Sequence, residues 1–294
     1  MAYRIERTGA GVAVYAEEEG TDLSLSPLPG VECLTPDQPV GRRTYRKRFF
    51  RKKIYLPDER PVAVNAHLAR TPSTFVLGMN GYSRLTPEQC RAWGVQPRAY
   101  EILCQEILVQ AVRRLRRSFD GIEIVLVHGA SDMGVDAAVM AAARETNCRQ
   151  LGFNCLPYLF YVADDEQPVY VAETAAAYSD AFVASLDVLI AANGRLQAYE
   201  TDISAVFKHR KRLIPVNVLR LISSSGGPPA EDGSGKIEDA VAFFEQRVWT
   251  VGQRTASLLP RDQVPVVVTE TGSVLEAMAR YVLPPECGLR LARA

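Results

Sequence analysis

Hydrophobic and polar residues follow two alternating patterns along most of the chain, short apolar runs and longer amphipathic segments. The run from Ile122 to Val127 is rich in β-branched and aliphatic residues, which predicts a strand buried on both faces. The next segment is rich in Ala and has no Gly or Pro from Val135 on, which predicts a helix over about 134–146. Small residues separate the two, so this stretch is expected to form a strand, a tight turn and a helix.

The same alternation extends from residue 73 towards the end of the chain. Pro87 is expected to open a short helical turn, and apolar positions at spacings of three and four predict a helix over about 98–118. The other predicted strands or extended segments are 74–77, 151–153, 158–162, 187–192, 213–219 and 264–269. The other predicted helices are 172–185, a segment continuing to about 209, 236–251 and 272–282, with a loop at 223–235. Strands that alternate with helices predict an α/β protein, with a parallel sheet covered by helices on both faces.

Residues 1–70 have a different pattern. Short apolar runs such as Val12–Tyr15 and Ile54–Leu56 are separated by Gly and Pro, which predicts small strands or extended arms and no long helix. The sequence therefore predicts a β-rich N-terminal extension over 1–70 and a Rossmann-like domain over 71–294.

Composition narrows the functional classes. The 34 basic and 34 acidic residues balance, so no global field favours nucleic acid or an anionic membrane. Six cysteines are scattered without a C-x-x-C pair and only three histidines occur, so neither a metal site nor a cofactor is predicted. No signal peptide is recognisable in M-A-Y-R-I-E-R and no run reaches the ~20 apolar residues of a membrane span, so a cytoplasmic protein is expected.

One local exception to the charge balance is the stretch Arg42–Lys53, with eight basic residues in twelve. Tyr45, Phe49 and Phe50 interleave these charges, an arrangement that could grip a nucleic-acid backbone and stack bases. The stretch could equally reach an acidic surface of a neighbouring subunit or cover a phosphate site. A further alternative is a solvated β-ribbon with one basic and one apolar face.

Three turns are candidates for a ligand site, at 78–84, 128–136 and 193–200. In an open parallel sheet the ligand binds beyond the carboxyl ends of the strands, where the strand order reverses. The free N–H groups of a helix's first turn hold anions there, and glycines let the ligand approach the backbone. The turns therefore predict a phosphate-bearing, nucleotide-like ligand, although Gly and Ser are also common in ordinary turns between strands and helices.

The order of these turns resembles the SMF/DprA–LOG (SLOG) superfamily of Rossmann-like proteins. One block, V-H-G-A-S-D-M-G-V-D-A-A-V-M-A-A-A, is similar to the DNA-processing protein A and YspA-like branch. Gly129, Gly134 and Asp136 match the Gly and Asp positions of that branch's pattern. The later N-G-R-L-Q-A-Y-E resembles P-G-G-x-G-T-x-x-E of the Lonely Guy phosphoribohydrolases, with Glu200 on their catalytic Glu. Leu196 stands where that motif has Gly, Gln197 where it has Thr, and Ala192 where it has Pro. The catalytic acid is therefore kept as Glu200, while the phosphate-binding part of the motif is altered. The resemblance covers about residues 74–219.

The resemblance implies two classes of function, a nucleotide sensor or ligand-binding protein and a hydrolase that cleaves an N-glycosidic bond. A nucleic-acid binder that uses the stretch Arg42–Lys53 is a third alternative. In the hydrolase, Glu200 would stabilise oxocarbenium charge or activate water, and Arg195 would pair with phosphate or orient the Glu. Glu200 could instead complement a helix dipole, and Arg195 could form a surface ion pair. The predicted ligand-binding residues are Gly78, Asn80, Gly81, Ser83, Arg84, His128, Gly129, Ala130, Ser131, Asp132, Gly134, Asp136, Asn193 and Gly194. Related sites are often completed across subunits, so a homo-oligomer is expected.

Overall fold

The structure is a computed structural model that describes residues 2–8, 11–19, 28–35, 42–50, 53–96, 98–165, 167–194, 198–224, 242 and 246. Most of the predicted loop at 223–235, nearly all of the helix at 236–251, the strand at 264–269 and the helix at 272–282 lie outside the described residues. Among the described residues, no helix is both long and apolar enough to cross a membrane.

The described elements follow the predicted alternation of strands and helices. The strands are β1 (Ala2–Thr8), β2 (Gly11–Glu19), β3 (Val31–Cys33), β4 (Arg42–Phe49), β5 (Ile54–Tyr55), β6 (Thr74–Gly81), β7 (Glu123–His128), β8 (Arg149–Cys155), β9 (Val169–Ala172), β10 (Val188–Ala192) and β11 (Arg212–Pro215). The helices are α1 (Arg60–Leu68), α2 (Pro87–Ala92), α3 (Ala99–Ser118), α4 (Gly134–Thr146), α5 (Ala175–Ser185), α6 (Ser204–Lys208) and α7 (Val218–Ser224). A 3-10 helix covers Leu156–Tyr161, and a π-helix covers Tyr199–Ile203 and leads into α6.

Two sheets organise the described residues. A parallel sheet of seven strands has the order β11-β10-β6-β7-β8-β9-β5, and an antiparallel sheet has the order β1-β2-β4-β3. This confirms the predicted α/β class, a Rossmann-like parallel sheet with an additional β-rich N-terminal part.

The chain forms two compact units. Of the described residues, the larger unit contains those in Leu68–His128, in Met133–Gln150 and from Ser179 on, and the smaller unit contains those up to His67, in Gly129–Asp132 and in Leu151–Tyr178. In the larger unit, the buried faces of β6, β7 and β10 pack with α3 and α4. In the smaller unit, buried residues of β2 and β4 pack with the 3-10 helix and β9.

Two strand predictions in the later part of the chain are wrong. Tyr158–Val162 was expected to be extended, but it overlaps the 3-10 helix, which has Pro157 in its first turn, where its missing N–H costs nothing. The strand expected over Leu213–Leu219 ends at Pro215, because Asn217 accepts a hydrogen bond from the Arg220 N–H at 3.3 Å and caps a helix.

The edges of two other elements also differ from the prediction. The turn expected at Gly78–Arg84 begins later, because Gly78–Gly81 pair with β10 as the last residues of β6. The helix expected over 172–185 begins at Ala175, since Val169–Ala172 form β9, a short apolar strand paired with β8.

Candidate functional site

The carboxyl ends of β10, β6 and β7 lie side by side in the larger unit. Ala192 pairs with Gly81, and Gly78 pairs with Val127, so the three strands end at one edge of the sheet. β7, the next strand in the chain, lies on one side of β6, and β10 lies on the other side. The strand order therefore reverses at β6. This is the position at which ligands bind in open parallel sheets.

The backbone is tightly packed where β6 and β10 end. A Cβ on Gly81 would lie 2.1 Å from the Tyr100 Oη and 2.9 Å from the Ala192 carbonyl, so only glycine fits. The buried Tyr100 hydroxyl accepts a hydrogen bond from the Tyr82 N–H at 3.0 Å and donates to the Ala192 carbonyl. Burial raises the pKa of Tyr100 well above its ordinary value. Tyr100 therefore ties the two strand ends together as a neutral phenol.

The first turn of α4, which the sequence predicts as an anion site, already donates within the protein. The Gly134 N–H donates to Glu101 Oε1 at 3.0 Å, and the Val135 N–H donates to the Tyr82 carbonyl at 3.0 Å. Gly134 has a φ of +54°, and a Cβ there would lie 2.2 Å from the Ser83 carbonyl. A carboxylate of the protein thus occupies the helix end that favours negative charge.

A buried polar pair stands at the carboxyl end of β6. Asn80 and Asp202 are 6% and 8% exposed, and the Asn80 Nδ2 donates to Asp202 Oδ2 at 3.1 Å. Burial raises the pKa of the Asp202 carboxyl, while hydrogen bonds from Ser179, Asn80 and Thr201 oppose that rise. The Asn80 Oδ1 is buried and has no hydrogen-bond partner among the described residues. Such an unmet buried acceptor costs ~1–3 kcal/mol and requires an explanation.

Local structure brings these two side chains together. Successive side chains of a strand alternate between the faces, so Asn80 shares the face of Gly78, at which a Cβ would meet Leu186 and Phe182. Asp202 belongs to the π-helix at Tyr199–Ile203, and π-helical turns inside helices are frequent at functional sites. Asp202 is a candidate that the sequence prediction missed. The available signal was an acid on the same helical face as the buried Val206, four residues later.

Asn193 has a structural role in the described fold. It adopts a φ of +63°, its Nδ2 donates to Asn217 Oδ1 at 2.9 Å, and its Oδ1 accepts from the Leu219 N–H at 3.0 Å. These bonds tie the end of β10 to the start of α7. The next residue, Gly194, approaches the backbone of Gly81 to 3.7 Å, measured from an ideal Cβ position.

Four predicted ligand residues, Gly129–Asp132, belong to the smaller unit. The Gly129 carbonyl accepts from Asn154 Nδ2 at 2.6 Å, and the Ala130 carbonyl accepts from the Ala163 N–H at 3.0 Å. Three of the four are buried, and only Asp132 is exposed. Ala130 has a φ of +65°, which is uncommon for a residue with a side chain.

The remaining predicted residues occupy different environments. His128 is fully buried at the end of β7, and Asp136 is partly buried in the first turn of α4. Ser83 and Arg84 are exposed after β6. Glu200 is part of the π-helix, but its side chain and the whole of Arg195 lie outside the described residues.

The basic stretch forms β4 and alternates between its faces. Tyr45, Lys47 and Phe49 are buried, and the Lys47 Nζ donates to the Phe160 carbonyl at 2.7 Å. On the other face, the Arg46 Nε donates to Glu32 Oε2 at 3.2 Å. Two of the three aromatics therefore lie in the core, as the β-ribbon alternative expects, and Phe50 is 62% exposed.

No protein-family model and no curated protein matches the chain. Two similar solved structures are the molybdenum cofactor carrier protein of Chlamydomonas reinhardtii, with 14% identity and a TM-score of 0.44, and the molybdenum cofactor binding protein of Rippkaea orientalis, with 16% and 0.42. Each match covers 71% of this chain and 98% of the other. These likenesses are too distant to carry a ligand, a reaction or a site residue over to this chain.

Proposed function

We propose that this protein binds a nucleotide or a nucleotide-derived phosphate ligand at the carboxyl ends of β6, β7 and β10, as a sensor or ligand-binding protein of the SLOG type. The observation that carries the proposal is the buried pair of Asn80 and Asp202, which lies where the strand order reverses. The unmet Asn80 carbonyl beside the buried Asp202 carboxyl does not stabilise the fold, whereas in a binding site both groups can contact a ligand.

The phosphate of the ligand needs donors other than the first two amides of α4, since these donate to Glu101 and Tyr82. Ser83 and Arg84 are exposed directly after β6 and offer a hydroxyl and a guanidinium. Arg is well suited to phosphate because its N–H groups form two parallel bonds to the oxygens. We assign phosphate contact to these two residues.

A second candidate function is the hydrolysis of an N-glycosidic bond. It is favoured by the buried position of Asp202, because burial raises the pKa of this carboxyl and so shifts it towards the range of a general acid. Glu200 lies in the same π-helix and matches the catalytic Glu of the phosphoribohydrolases. In this case the protein releases free base from a nucleoside monophosphate, and Glu200→Ala abolishes release while sparing binding.

Binding of nucleic acid by the stretch Arg42–Lys53 has weaker support. Base stacking needs exposed aromatics, and Tyr45 and Phe49 are buried. Binding through phosphates alone would weaken steeply with added salt. A salt-independent affinity for a small ligand would exclude this alternative as the main activity.

The proposal is tested by measuring thermal unfolding with adenosine, guanosine and inosine monophosphates, cyclic nucleotides and nucleotide sugars. A ligand at ~100 times its dissociation constant adds roughly 2.7 kcal/mol to stability. Asn80→Ala should reduce this shift, whereas Asp180→Asn, at a partly exposed position of α5, should keep it. The absence of a shift with every compound would overturn the proposal. Chromatography of the same mixtures detects released base and so separates the hydrolase from the binding protein.

A further inference from the structure

We propose that Asn80 recognises a hydrogen-bond donor of the ligand through its side-chain carbonyl, and that Asp202 is the positioning residue that fixes the amide in this orientation. The inference rests on the proposed function, and it deepens it by naming the chemical group that the site selects.

The orientation follows from the contact between the two side chains. An asparagine amide presents a donor at one end and an acceptor at the other, and its partners determine which end points where. An ionised carboxylate only accepts, so Asp202 Oδ2, 3.1 Å away, holds the NH2 end of Asn80. The carbonyl end is then directed elsewhere, and a rotation of the amide would set two oxygens against each other.

Further contacts hold Asp202 in place. Ser179 and Thr201 join Asn80 as hydrogen-bond partners of its carboxyl group, and these bonds favour the charged form. Ser179 belongs to α5, Thr201 to the π-helix and Asn80 to β6, so three elements fix one carboxylate. The amide of Asn80 is therefore preorganised before any ligand arrives.

The free end of this amide is an unmet acceptor at the carboxyl end of β6. The Asn80 Oδ1 is buried and has no partner among the described residues, although its neighbour Gly81 is partly exposed. Bulk water does not reach this oxygen, so a ligand donor that does reach it gains a bond that bulk water did not supply. Sites built in this way reject analogues that lack the donor much more strongly than apolar pockets reject a missing methylene.

The ligand group must therefore carry N–H or O–H. In a nucleotide two groups qualify, an exocyclic amino group of the base and a hydroxyl group of the ribose. An oxo group at the same position would place two acceptors against each other. The site is expected to prefer an amino-bearing base over its oxo analogue, or a ribonucleotide over its deoxy analogue.

The test compares matched probes by titration calorimetry at pH 8. Adenosine and inosine monophosphates differ at C6, where an amino group is replaced by an oxo group and N1 gains a proton. Guanosine and inosine monophosphates differ at C2, where an amino group is replaced by hydrogen. The corresponding 2′-deoxynucleotides test the hydroxyl. In the wild type, at least one donor-bearing probe should bind about tenfold more tightly than its partner, or better.

Asp202→Asn supplies the amide with a partner that both donates and accepts, so the orientation is no longer fixed. The preference should fall to within about twofold while binding persists, a change of selectivity that a purely structural role would not produce. Asn80→Leu, which has no acceptor, should lose the same preference and serves as the second variant if Asp202→Asn does not fold. Asp180→Asn, the same substitution at a partly exposed position of α5, should keep the full preference.

Two results overturn the inference while the proposed function stands. One is binding of all probes by the wild type without discrimination, which is the outcome if only an internal water occupies the Asn80 carbonyl. The other is a preference that survives both Asp202→Asn and Asn80→Leu. If no probe binds the wild type, the proposed function fails, and the inference fails with it.

Discussion

Replacing Asp202 by asparagine should stabilise the protein at neutral and alkaline pH. The substitution removes a carboxyl that is costly to ionise where it is buried, and it keeps the side-chain volume. The hydrogen bonds from Ser179, Asn80 and Thr201 offset only part of this cost, because the pKa of the carboxyl is still raised.

The size of the gain follows from the desolvation of the Asp202 carboxylate. Burial of a polar group without full compensation costs ~1–3 kcal/mol, so we expect a gain of about 2 kcal/mol. One kcal/mol moves the unfolding midpoint of a domain of this size by roughly 2–4 °C. The midpoint of Asp202→Asn should therefore lie roughly 4–8 °C above that of the wild type.

The gain should depend on pH with a definite sign. The pKa of Asp202 is raised in the folded chain above its ordinary value of 3.8. In the wild type, stability therefore falls as the pH rises from 3.8 to the raised pKa, because the unfolded chain gives up the proton first. Asp202→Asn lacks this loss. The difference in midpoint between variant and wild type should grow across this window and then stay constant.

The assay is thermal unfolding of the wild type and two variants between pH 3.5 and 8 in one buffer series. The matched control is Asp180→Asn, because hydrogen bonds from Lys208 and His209 lower the pKa of Asp180. A lowered pKa contributes stability above 3.8 that is lost as the pH falls through the folded value. Asp180→Asn should therefore be destabilised at neutral pH, opposite in sign to Asp202→Asn. A destabilised Asp202→Asn, or a difference that does not vary with pH, would refute the reasoning.

Substitutions at Gly134 and Asn193, each with a control variant, test the backbone of the site by urea unfolding. The dependence of the unfolding free energy on urea concentration should be the same for all variants. Gly134→Ala should cost about 3 kcal/mol or more, because its positive φ and the nearby Ser83 carbonyl leave no room for a Cβ. Gly121→Ala also has a positive φ but open space around it, so it should cost only about 1–2 kcal/mol; equal losses would mean that the close contact is unimportant. Asn193→Ala should cost about 2–4 kcal/mol, because it removes the acceptor of the buried Leu219 N–H and the bond to Asn217 Oδ1, and keeps a positive φ. Asn193→Gly should cost about 1 kcal/mol less, because glycine adopts a positive φ without strain, and the reverse order would show that the backbone is not strained here.

Periodicity predicted the elements that surround the site, but it could not predict the polar contacts inside it. Apolar runs gave β7 and β10, and spacings of three and four gave α3, because burial of one face dominates the energy of each element. Asn80 and Asp202 are 122 residues apart in the chain, and they meet only because β6 pairs with β10. A pattern within one window carries no information on such a contact.

The basic stretch shows a second limit of sequence patterns. Its alternation predicted a ribbon with two faces, and Tyr45 and Phe49 do lie on the buried one. Lys47 stands between them on the same face, because the side chains of a strand repeat every two residues whatever their polarity. Its ammonium group can be accommodated because it reaches the Phe160 carbonyl across the core of the smaller unit. The sequence around position 47 contains no sign of that acceptor.

Glu101 changes where a phosphate should be sought. Its carboxylate accepts from the Gly134 N–H, and only Arg98, at 3.6 Å between Nε and Oε2, is an ion-pair partner described for it. Two like charges ~4 Å apart at an effective dielectric constant of 20 repel by about 4 kcal/mol, so a phosphate at α4 would have to displace this carboxylate. Glu101→Gln keeps an acceptor oxygen and removes the charge.

The substitution therefore distinguishes two positions of the ligand by calorimetry with adenosine monophosphate and adenosine. If the phosphate lies at α4, Glu101→Gln should tighten binding of the monophosphate about tenfold or more and leave adenosine unchanged. If Ser83 and Arg84 hold the phosphate, both affinities should stay within about twofold of the wild type, and Arg84→Ala should weaken the monophosphate alone. We expect the second result, because the first two amides of α4 already have acceptors that belong to the fold. A tenfold gain in Glu101→Gln would contradict this assignment and restore the helix end as the anion site.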